Sequence, residues 1–332
     1  MSGKKTLSWV KYGLISLLSI YPLELFISKL SDDKRKRILG FLFNIFLGSI
    51  FLATFYGLIL KFFHFDLLTL SETTITRDLE RNRGLTGIMR YSYGLSMAIT
   101  LIFSLLMTRY VQPKFSSNHL RLFFLAVALM GLYLSYSRGA LLALCLGFIP
   151  LVLFYKKEYF MKFFFSMVGV IILISAILLK GGIENSPRYI SGKTKVSDQK
   201  RVAQFRAAMY AGKENPIFGL GPKQFKYHSV ELKEKYKLPR INYKSHAHNV
   251  FLEKFANLGF PGLILFLMFI FFWIAEVNLL PNPVRSIFLP FIFVFLIASQ
   301  FEYVFDANNS FFFFFIYSLS KVDYWKLRNE SK

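Results

Sequence analysis

The chain has little cysteine and few acidic residues. Its 332 residues include one cysteine, Cys145, and 19 Asp and Glu against 41 Lys and Arg. A single cysteine excludes a disulfide framework and a metal site built from cysteines. The chain also lacks a Walker A sequence, an HExxH sequence, an EF-hand pattern and DxD carboxylate pairs. Because these patterns are missing, the sequence gives no support for a nucleotide or metal site, and we expect no cofactor and no metal. The energy for a reaction would then come with an activated substrate, for example a diphosphate ester.

Hydrophobic residues are abundant and arranged in long runs. They make up 54% of the chain, and there are 40 Phe, more than a soluble core of this size carries. Uncharged runs such as 163–179 and 259–274 approach the roughly 20 residues that a helix needs to cross a bilayer. Lys4, Lys5 and Lys11 precede an apolar stretch near the N-terminus, but Pro22 and Glu24 follow it in place of a small-residue cleavage site, so we interpret the stretch as a retained helix.

These runs predict an all-α, polytopic membrane protein with about nine transmembrane helices. No internal repeat or linker is visible, so residues 1–332 are interpreted as a single membrane domain. The helices are expected near residues 12–30, 38–63, 89–108, 120–136, 139–155, 161–180, 250–277, 286–304 and 310–323.

The distribution of basic residues predicts the orientation. Lys and Arg cluster in alternate connections, which indicates that those connections are cytoplasmic. The formal charge of +22 therefore reflects topology signals and not a nucleic-acid partner. Alternation predicts that residues 181–247 form a long connection on the opposite, periplasmic side, although they carry 14 Lys and Arg against 5 Asp and Glu. The charge rule applies to connections of up to roughly 60 residues, and this one is longer. A basic surface held against a membrane suits an anionic lipid headgroup, above all a diphosphate.

The most informative motif is HAHNVFLEKFANLGFPG, residues 246–262, where the long connection re-enters the membrane. A neutral imidazole can accept a proton from a sugar hydroxyl, so His248 is a candidate general base. Asn249 follows it directly. A histidine that only bonds a neighbouring carbonyl at a helix start is the structural alternative, and the chemistry of the motif leaves both readings open.

Two further segments contain candidate anion-binding arginines. Arg138 lies in the turn of SYSRGALLAL between two apolar helices, where a buried cation usually faces a polar cavity or a partner; snorkelling to the interface is the alternative. Residues 200–211 predict an amphipathic helix that ends before Pro216 and carries Arg201 and Arg206. Guanidinium groups bind phosphate oxygens bidentately. For Arg206, a solvated helix face is an equally good interpretation.

The helix at 200–211 also carries an apolar stripe, Val202, Phe205 and Met209, which suits a helix lying on the membrane surface. Weaker site candidates are Arg83, Arg90 and Glu302. Glu302 could pair with an arginine of the site, or it could only satisfy a helix end.

The motifs resemble the O-antigen ligase family, within the group that includes O-antigen polymerases and protein O-oligosaccharyltransferases. His248, Asn249, Gly259 and Gly262 follow the spacing of that group, SRGALLAL resembles its arginine-containing turn, and Arg201 with Pro216 resembles its arginine-led helix. The resemblance runs from about Lys34 to the C-terminus and is specific between Ser135 and Gly262. Family members have about twelve helices, so helices are expected to be missing at the N-terminus.

The resemblance implies transfer of a glycan from an undecaprenyl diphosphate donor to a hydroxyl at the periplasmic face of the bacterial inner membrane. Arg138 and Arg201 would hold the diphosphate, and His248 would take the acceptor proton. The expected reaction is O-antigen ligation to the lipid A core. O-antigen polymerisation is the alternative among enzymes, and a lipid-linked sugar transporter or a non-catalytic membrane partner is the alternative from another class.

Overall fold

The computed structural model describes residues 26–27, 29–63, 65–66, 71–72, 88–108, 118–135, 137–150, 193–304 and 313–321. Within these ranges every element longer than two residues is a helix. The helices are α1 (Asp32–Phe63), α2 (Ile88–Thr108), α3 (Asn118–Leu134), α4 (Arg138–Gly147), α5 (Lys193–Glu214), α6 (Phe225–Lys235), α7 (Val250–Asn278), α8 (Asn282–Phe301) and α9 (313–321). Phe65–Asp66 (β1) pairs antiparallel with Ser71–Glu72 (β2).

The described helices have the lengths and composition of a membrane protein. Three of them contain segments long and apolar enough to cross a bilayer, namely Asp33–Leu60, Val250–Asn278 and Val284–Phe301, and α2, α3 and α4 are shorter apolar helices. The all-helical membrane class is thus confirmed for the described part of the chain. The helices expected near 161–180 and, apart from its last residues, near 12–30 lie outside the described residues, so the count of nine stays a prediction.

The membrane core is built around α2. This helix packs against α3, α4 and α8, and α7 packs against α8. The buried face of α2 carries hydroxyls as well as apolar groups: Ser96 Oγ donates to the carbonyl of Ala140 in α4 at 2.8 Å. Burial of a hydroxyl is tolerated when it makes such a bond. The bond ties the start of α4 to α2.

Helices α7 and α8 form an antiparallel hairpin. The chain turns at Leu279 and Leu280, whose amides bond back to the last turn of α7, and Pro281 is the N-cap of α8. The start of α7 and the end of α8 therefore lie at the same end of the bundle. The turn between α3 and α4 lies at this end too, because Gly139 approaches Phe301 at the end of α8.

Helices α5 and α6 form a small second core at that end. Its buried residues are Ala207, Ala208, Ala211, Phe225, Leu232, Leu238, Ala247 and Ala256. The predicted helix at 200–211 exists but is longer at both ends, spanning Lys193–Glu214. Small residues on one face let α5 approach α7 closely, and the predicted apolar stripe lies on the other side, with Val202 47% exposed and Met209 38% exposed. That this stripe faces a membrane stays a prediction.

Candidate functional site

A buried histidine and carboxylate pair forms the centre of the site. His248 precedes α7 and Glu302 is the C-cap of α8, so the α7–α8 hairpin brings together two residues that are 54 positions apart. His248 Nδ1 lies 2.9 Å and 3.1 Å from the two carboxylate oxygens of Glu302. Both residues are buried. A carboxylate in this position orients the imidazole ring and selects its tautomer.

The pair defines which ring nitrogen can act as a base. An ionised carboxylate only accepts hydrogen bonds, so the Nδ1–H group of His248 donates a hydrogen bond to Glu302. In the neutral imidazole this leaves a lone pair on Nε2. The hydroxyls of Tyr243 and Ser245 each lie 3.2 Å from Nε2. The basic nitrogen therefore already faces hydroxyl oxygens.

The ionisation of Glu302 has an identifiable cause. Burial by itself opposes the charged carboxylate, but the hydrogen bond from His248 and the electrostatic interactions with His248 and Arg201 outweigh burial and lower the pKa of Glu302. The amide of Tyr303 adds a hydrogen bond to the same carboxylate at 3.2 Å. Glu302 is thus held as an anion in a buried position.

The backbone at the start of α7 fixes the imidazole. His248 has a left-handed conformation, with φ of 53°, which is uncommon for a residue other than glycine. Asn249 is the N-cap: its Oδ1 accepts from the amide of Leu252 at 3.0 Å, while its Nδ2 contacts Gln300 of α8. Asn249 therefore joins the two helices that carry the pair, and an N-cap of this kind contributes about 1 kcal/mol.

Glu253, in the first turn of α7, stabilises the backbone that precedes His248. Its buried carboxylate accepts a hydrogen bond from the amide of Ala247 at 2.6 Å and contacts Asn257 Nδ2 at 3.0 Å. A side chain in the first turn that bonds back to the preceding backbone restrains the entry angle of the helix. The strained conformation of His248 is held on both sides, by Glu253 and by Asn249.

Tyr243 is positioned from the α5–α6 core. Its backbone carbonyl accepts from Gln204 Nε2 at 2.8 Å and from the Nζ of Lys233, and Lys200 Nζ lies 4.7 Å from the centre of its ring. Lys233 is fully buried, and burial lowers its pKa. These contacts of the backbone and ring of Tyr243 hold its hydroxyl beside His248.

The two predicted arginines, Arg138 and Arg201, each form an ion pair with an acidic residue near His248. Arg201 Nη2 lies 3.9 Å from Glu302 Oε2, an ion pair that is longer than a hydrogen bond. Asp198 is one turn earlier on α5 and pairs with Arg138 Nη2 at 3.2 Å. Because Asp198 and Arg201 share one face of α5, the three residues Arg138, Arg201 and His248 come together at one end of the bundle.

The charges of the cluster favour an anionic ligand. Arg138, Lys200 and Arg201 stand against the carboxylates of Asp198 and Glu302, which leaves an excess of positive charge. The pair between Arg138 and Asp198 is about half exposed on both sides, and exposed pairs of this kind contribute roughly 0–1 kcal/mol. A phosphate oxygen can therefore replace Asp198 on Arg138 at little cost.

A break in α7 explains why position 259 of the 246–262 motif is a glycine. Gly259 has φ of 67° inside α7, and a Cβ there would lie 2.5 Å from the carbonyl oxygens of Pro216 and Ile217. Its glycine conformation turns the amide of Phe260 to Pro216 O, at 2.7 Å. Pro261 has no amide, so it leaves the carbonyl of Asn257 to another donor.

The chain after α5 binds at this break. The amide of Leu220 donates to Ala256 O and the amide of Gly221 donates to Asn257 O, each at 2.9 Å. The side chain of Asn257 also accepts from the amide of Phe225 at 2.8 Å, at the start of α6. The break in α7 thus anchors both ends of the segment that joins α5 to α6.

The other predicted site residues have separate outcomes. Arg206 is exposed on α5, and its interpretation as a solvated residue stays a prediction. Arg83 lies outside the described residues. Tyr243 and Ser245 were not among the predicted residues, although they lie five and three positions before His248 in NYKSHAHN. Asp198 was not predicted either, because its partner Arg138 is 60 positions away.

The helices and the site define a membrane protein with a basic cluster and a His–Glu pair at one end of its bundle. Residues 122–267 match the family model described as O-antigen ligase, so the resemblance to the O-antigen ligase family is confirmed over this part of the chain. The matched segment contains Arg138, Arg201 and His248, whereas Glu302 lies beyond it. No curated protein gives a significant match. The family match supports glycosyl transfer of the O-antigen ligase and polymerase type.

Proposed function

We propose that the protein transfers a glycan from an undecaprenyl diphosphate donor to a hydroxyl acceptor, and that this reaction is O-antigen ligation to the lipid A core. The observation that carries the proposal is the buried pair of His248 and Glu302, with Nε2 of the imidazole facing two hydroxyl oxygens. The site would lie at the periplasmic face of the bacterial inner membrane, where both lipid-linked substrates are present.

In the proposed reaction the acceptor hydroxyl takes the place of the Ser245 or Tyr243 hydroxyl at Nε2 of His248. As the acceptor oxygen attacks the anomeric carbon of the donor sugar, its proton moves to Nε2. The bond between that carbon and the diphosphate oxygen breaks, and undecaprenyl diphosphate leaves. Glu302 stabilises the imidazolium that forms, as a carboxylate does in other histidine-based catalytic sites.

The leaving diphosphate gains negative charge during this step. Arg201 and Arg138 are the groups that would stabilise it, because guanidinium groups remain charged and bind phosphate oxygens in a fixed geometry. The proposal assigns this role to arginines and requires no metal or cofactor. Activity that is unchanged by a chelator is therefore expected, and loss of activity that Mg²⁺ restores would contradict this part of the proposal.

The test of the proposed base is His248→Gln in purified protein supplied with lipid diphosphate donor and acceptor. Transfer should be lost while donor binding remains, because the diphosphate contacts do not involve His248. His228→Gln is the matched control, since His228 is exposed and pairs with Glu231. Wild-type transfer by His248→Gln would refute the role of this residue as a base.

The test of the diphosphate site measures donor binding. Charge-assisted hydrogen bonds contribute about 1.5–3 kcal/mol each, so Arg201→Ala and Arg138→Ala should each weaken donor binding by about that amount. Arg206→Ala is the control, because Arg206 is exposed on another face of α5. Equal donor binding by all three variants would contradict the assignment. Turnover of donor by the purified wild type also separates an enzyme from a transporter or a non-catalytic partner.

The phenotype of a gene deletion separates ligation from polymerisation. Loss of a ligase leaves lipid A core without attached glycan, whereas loss of a polymerase leaves core that carries a single repeat unit. The first result is expected here.

A further inference from the structure

The turn between α5 and the start of the α6 connection exposes large apolar side chains. Phe218 is 83% exposed and Ile217 is 61% exposed. They follow Pro216 directly, just after the end of α5. Side chains of this size are seldom exposed together on a surface that meets only water.

The turn lies at a defined depth along α7. Uncharged residues extend from Phe255 to Ala275, between Lys254 and Glu276, and 21 helical residues span about 32 Å, the thickness of the hydrocarbon layer. The Pro216 carbonyl bonds to the amide of Phe260, which is about 9 Å along the helix from Lys254. The turn is therefore level with the first part of the membrane-spanning segment and not with the water-facing end.

The surroundings of the turn are continuous with the lipid-facing surface of α7. Phe260, Ile264 and Leu265, which follow the break, are between 51% and 66% exposed. In a helix that crosses a membrane, such side chains contact acyl chains. The exposed side chains of the turn extend this surface sideways from α7.

The backbone of the turn meets a second requirement of a lipid environment. Irregular backbone is tolerated at membrane depth only where its polar groups are bonded within the protein. Here the amide of Gly219 donates to Asn215 O at 2.9 Å, Pro216 O accepts from Phe260, and the amides of Leu220 and Gly221 donate to carbonyls freed by the break in α7. A turn exposed to water would need none of these bonds to α7.

We propose that the turn at residues 216–219 is inserted into the leaflet on the side of the His248 site, with Ile217 and Phe218 among the acyl chains. Arg201 in α5 lies beside Glu302, and the part of α5 that follows Arg201 leads to this turn. The insertion would hold α5 at a fixed depth, so that Arg201 stays at the level of lipid headgroups. The partner of this surface is the lipid bilayer itself, and the proposal does not depend on the reaction.

Site-directed spin labelling tests the insertion, because the chain has one cysteine to replace. In a Cys145→Ser background, Phe218→Cys is labelled and the protein is reconstituted in phospholipid vesicles. Accessibility to oxygen, which concentrates in lipid, is compared with accessibility to a water-soluble nickel chelate. We expect the label to be accessible to oxygen and protected from nickel.

Ile241→Cys is the matched control, since Ile241 is also an exposed apolar residue and adjoins Arg240, which binds Gln199 in the first part of α5. It should be more accessible to nickel. High accessibility of position 218 to nickel would place the turn in water, and low accessibility to both reagents would show a protein contact, with a second copy or another partner. Either result overturns the proposal. Ile217→Cys provides a second label at the same turn.

Discussion

Replacement of Glu302 by glutamine should slow glycan transfer, which depends on the orientation of His248, without weakening the binding of the donor. The glutamine has the same shape but no charge, and one of its two terminal groups is a donor. In the wild type, the buried carboxylate accepts a hydrogen bond from Nδ1 of His248, with 2.9 Å between the nitrogen and the oxygen. In E302Q the imidazolium that forms during transfer would lose this charged partner, and an amide group facing Nδ1 would favour the tautomer in which Nε2 carries the proton.

The size of the effect follows from the contacts. A hydrogen bond to a charged group contributes about 1.5–3 kcal/mol, and each 1.36 kcal/mol corresponds to about a tenfold change in rate. Loss of this bond alone slows transfer by about 10- to 100-fold. The wrong tautomer removes the base as well, which extends the loss toward about 10⁴-fold. We expect kcat to fall within this range.

The assay is glycan transfer by purified protein over a series of donor concentrations. The KM for the donor should not rise in E302Q, because the nearby positive charge of Arg201 is no longer offset by a carboxylate. E302D should recover part of kcat. Glu276→Gln is the matched control, since Glu276 pairs with Lys321 at the other end of α7. A wild-type kcat in E302Q, or a loss of activity that appears only in KM, would refute this reasoning.

Three stability predictions follow, each measured by thermal unfolding of the purified protein in detergent. Gly259→Ala should lower the free energy of unfolding by about 1–3 kcal/mol because of its positive φ and the approach of two carbonyls, while Gly48→Ala, where a Cβ meets nothing within 4 Å, should have little effect; equal results at the two positions would contradict the role of the break. Asn249→Ala should cost about 0.5–2 kcal/mol through loss of the N-cap, and an unchanged unfolding temperature would show that the cap is not needed. Since the pKa of Glu302 is lowered from 4.5, its ionisation stabilises the folded state above pH 4.5, and this contribution is lost as the pH falls through the lowered value; E302Q should lack this acid-dependent part, and an identical pH dependence would argue against it.

Much of the architecture could be read from local patterns. Uncharged runs of sufficient length predicted α7 and α8 within a few residues, because a helix in hydrocarbon has to satisfy its own backbone bonds and cover itself with apolar side chains. They predicted the end of α1 but not its charged first turns, which begin at Asp32. The extent of α5 was underestimated. Its first residues, from Lys193, are polar and carry no apolar periodicity, so their helical state could not be inferred from the pattern.

The candidate site was predictable in part. The HAHN motif, the arginine turn and the arginine-led helix each pointed to one residue, and the structure brings Arg138, Arg201 and His248 to the same end of the bundle. The partners of these residues could not be predicted. Asp198 lies 60 positions from Arg138, and Glu302 lies 54 positions from His248, and only the packing of α5, α7 and α8 brings each pair into contact.

The sequence by itself determined the membrane class, most helix positions in the described chain and the three basic or imidazole groups of the site, because these depend on the composition and spacing of neighbouring residues. Tertiary structure alone decided which nitrogen of His248 contacts the carboxylate and which faces the hydroxyls of Tyr243 and Ser245. That choice depends on the carboxylate of Glu302, which lies at the far end of α8. Contacts between distant segments carry no local pattern, so they become visible only once the chain is folded.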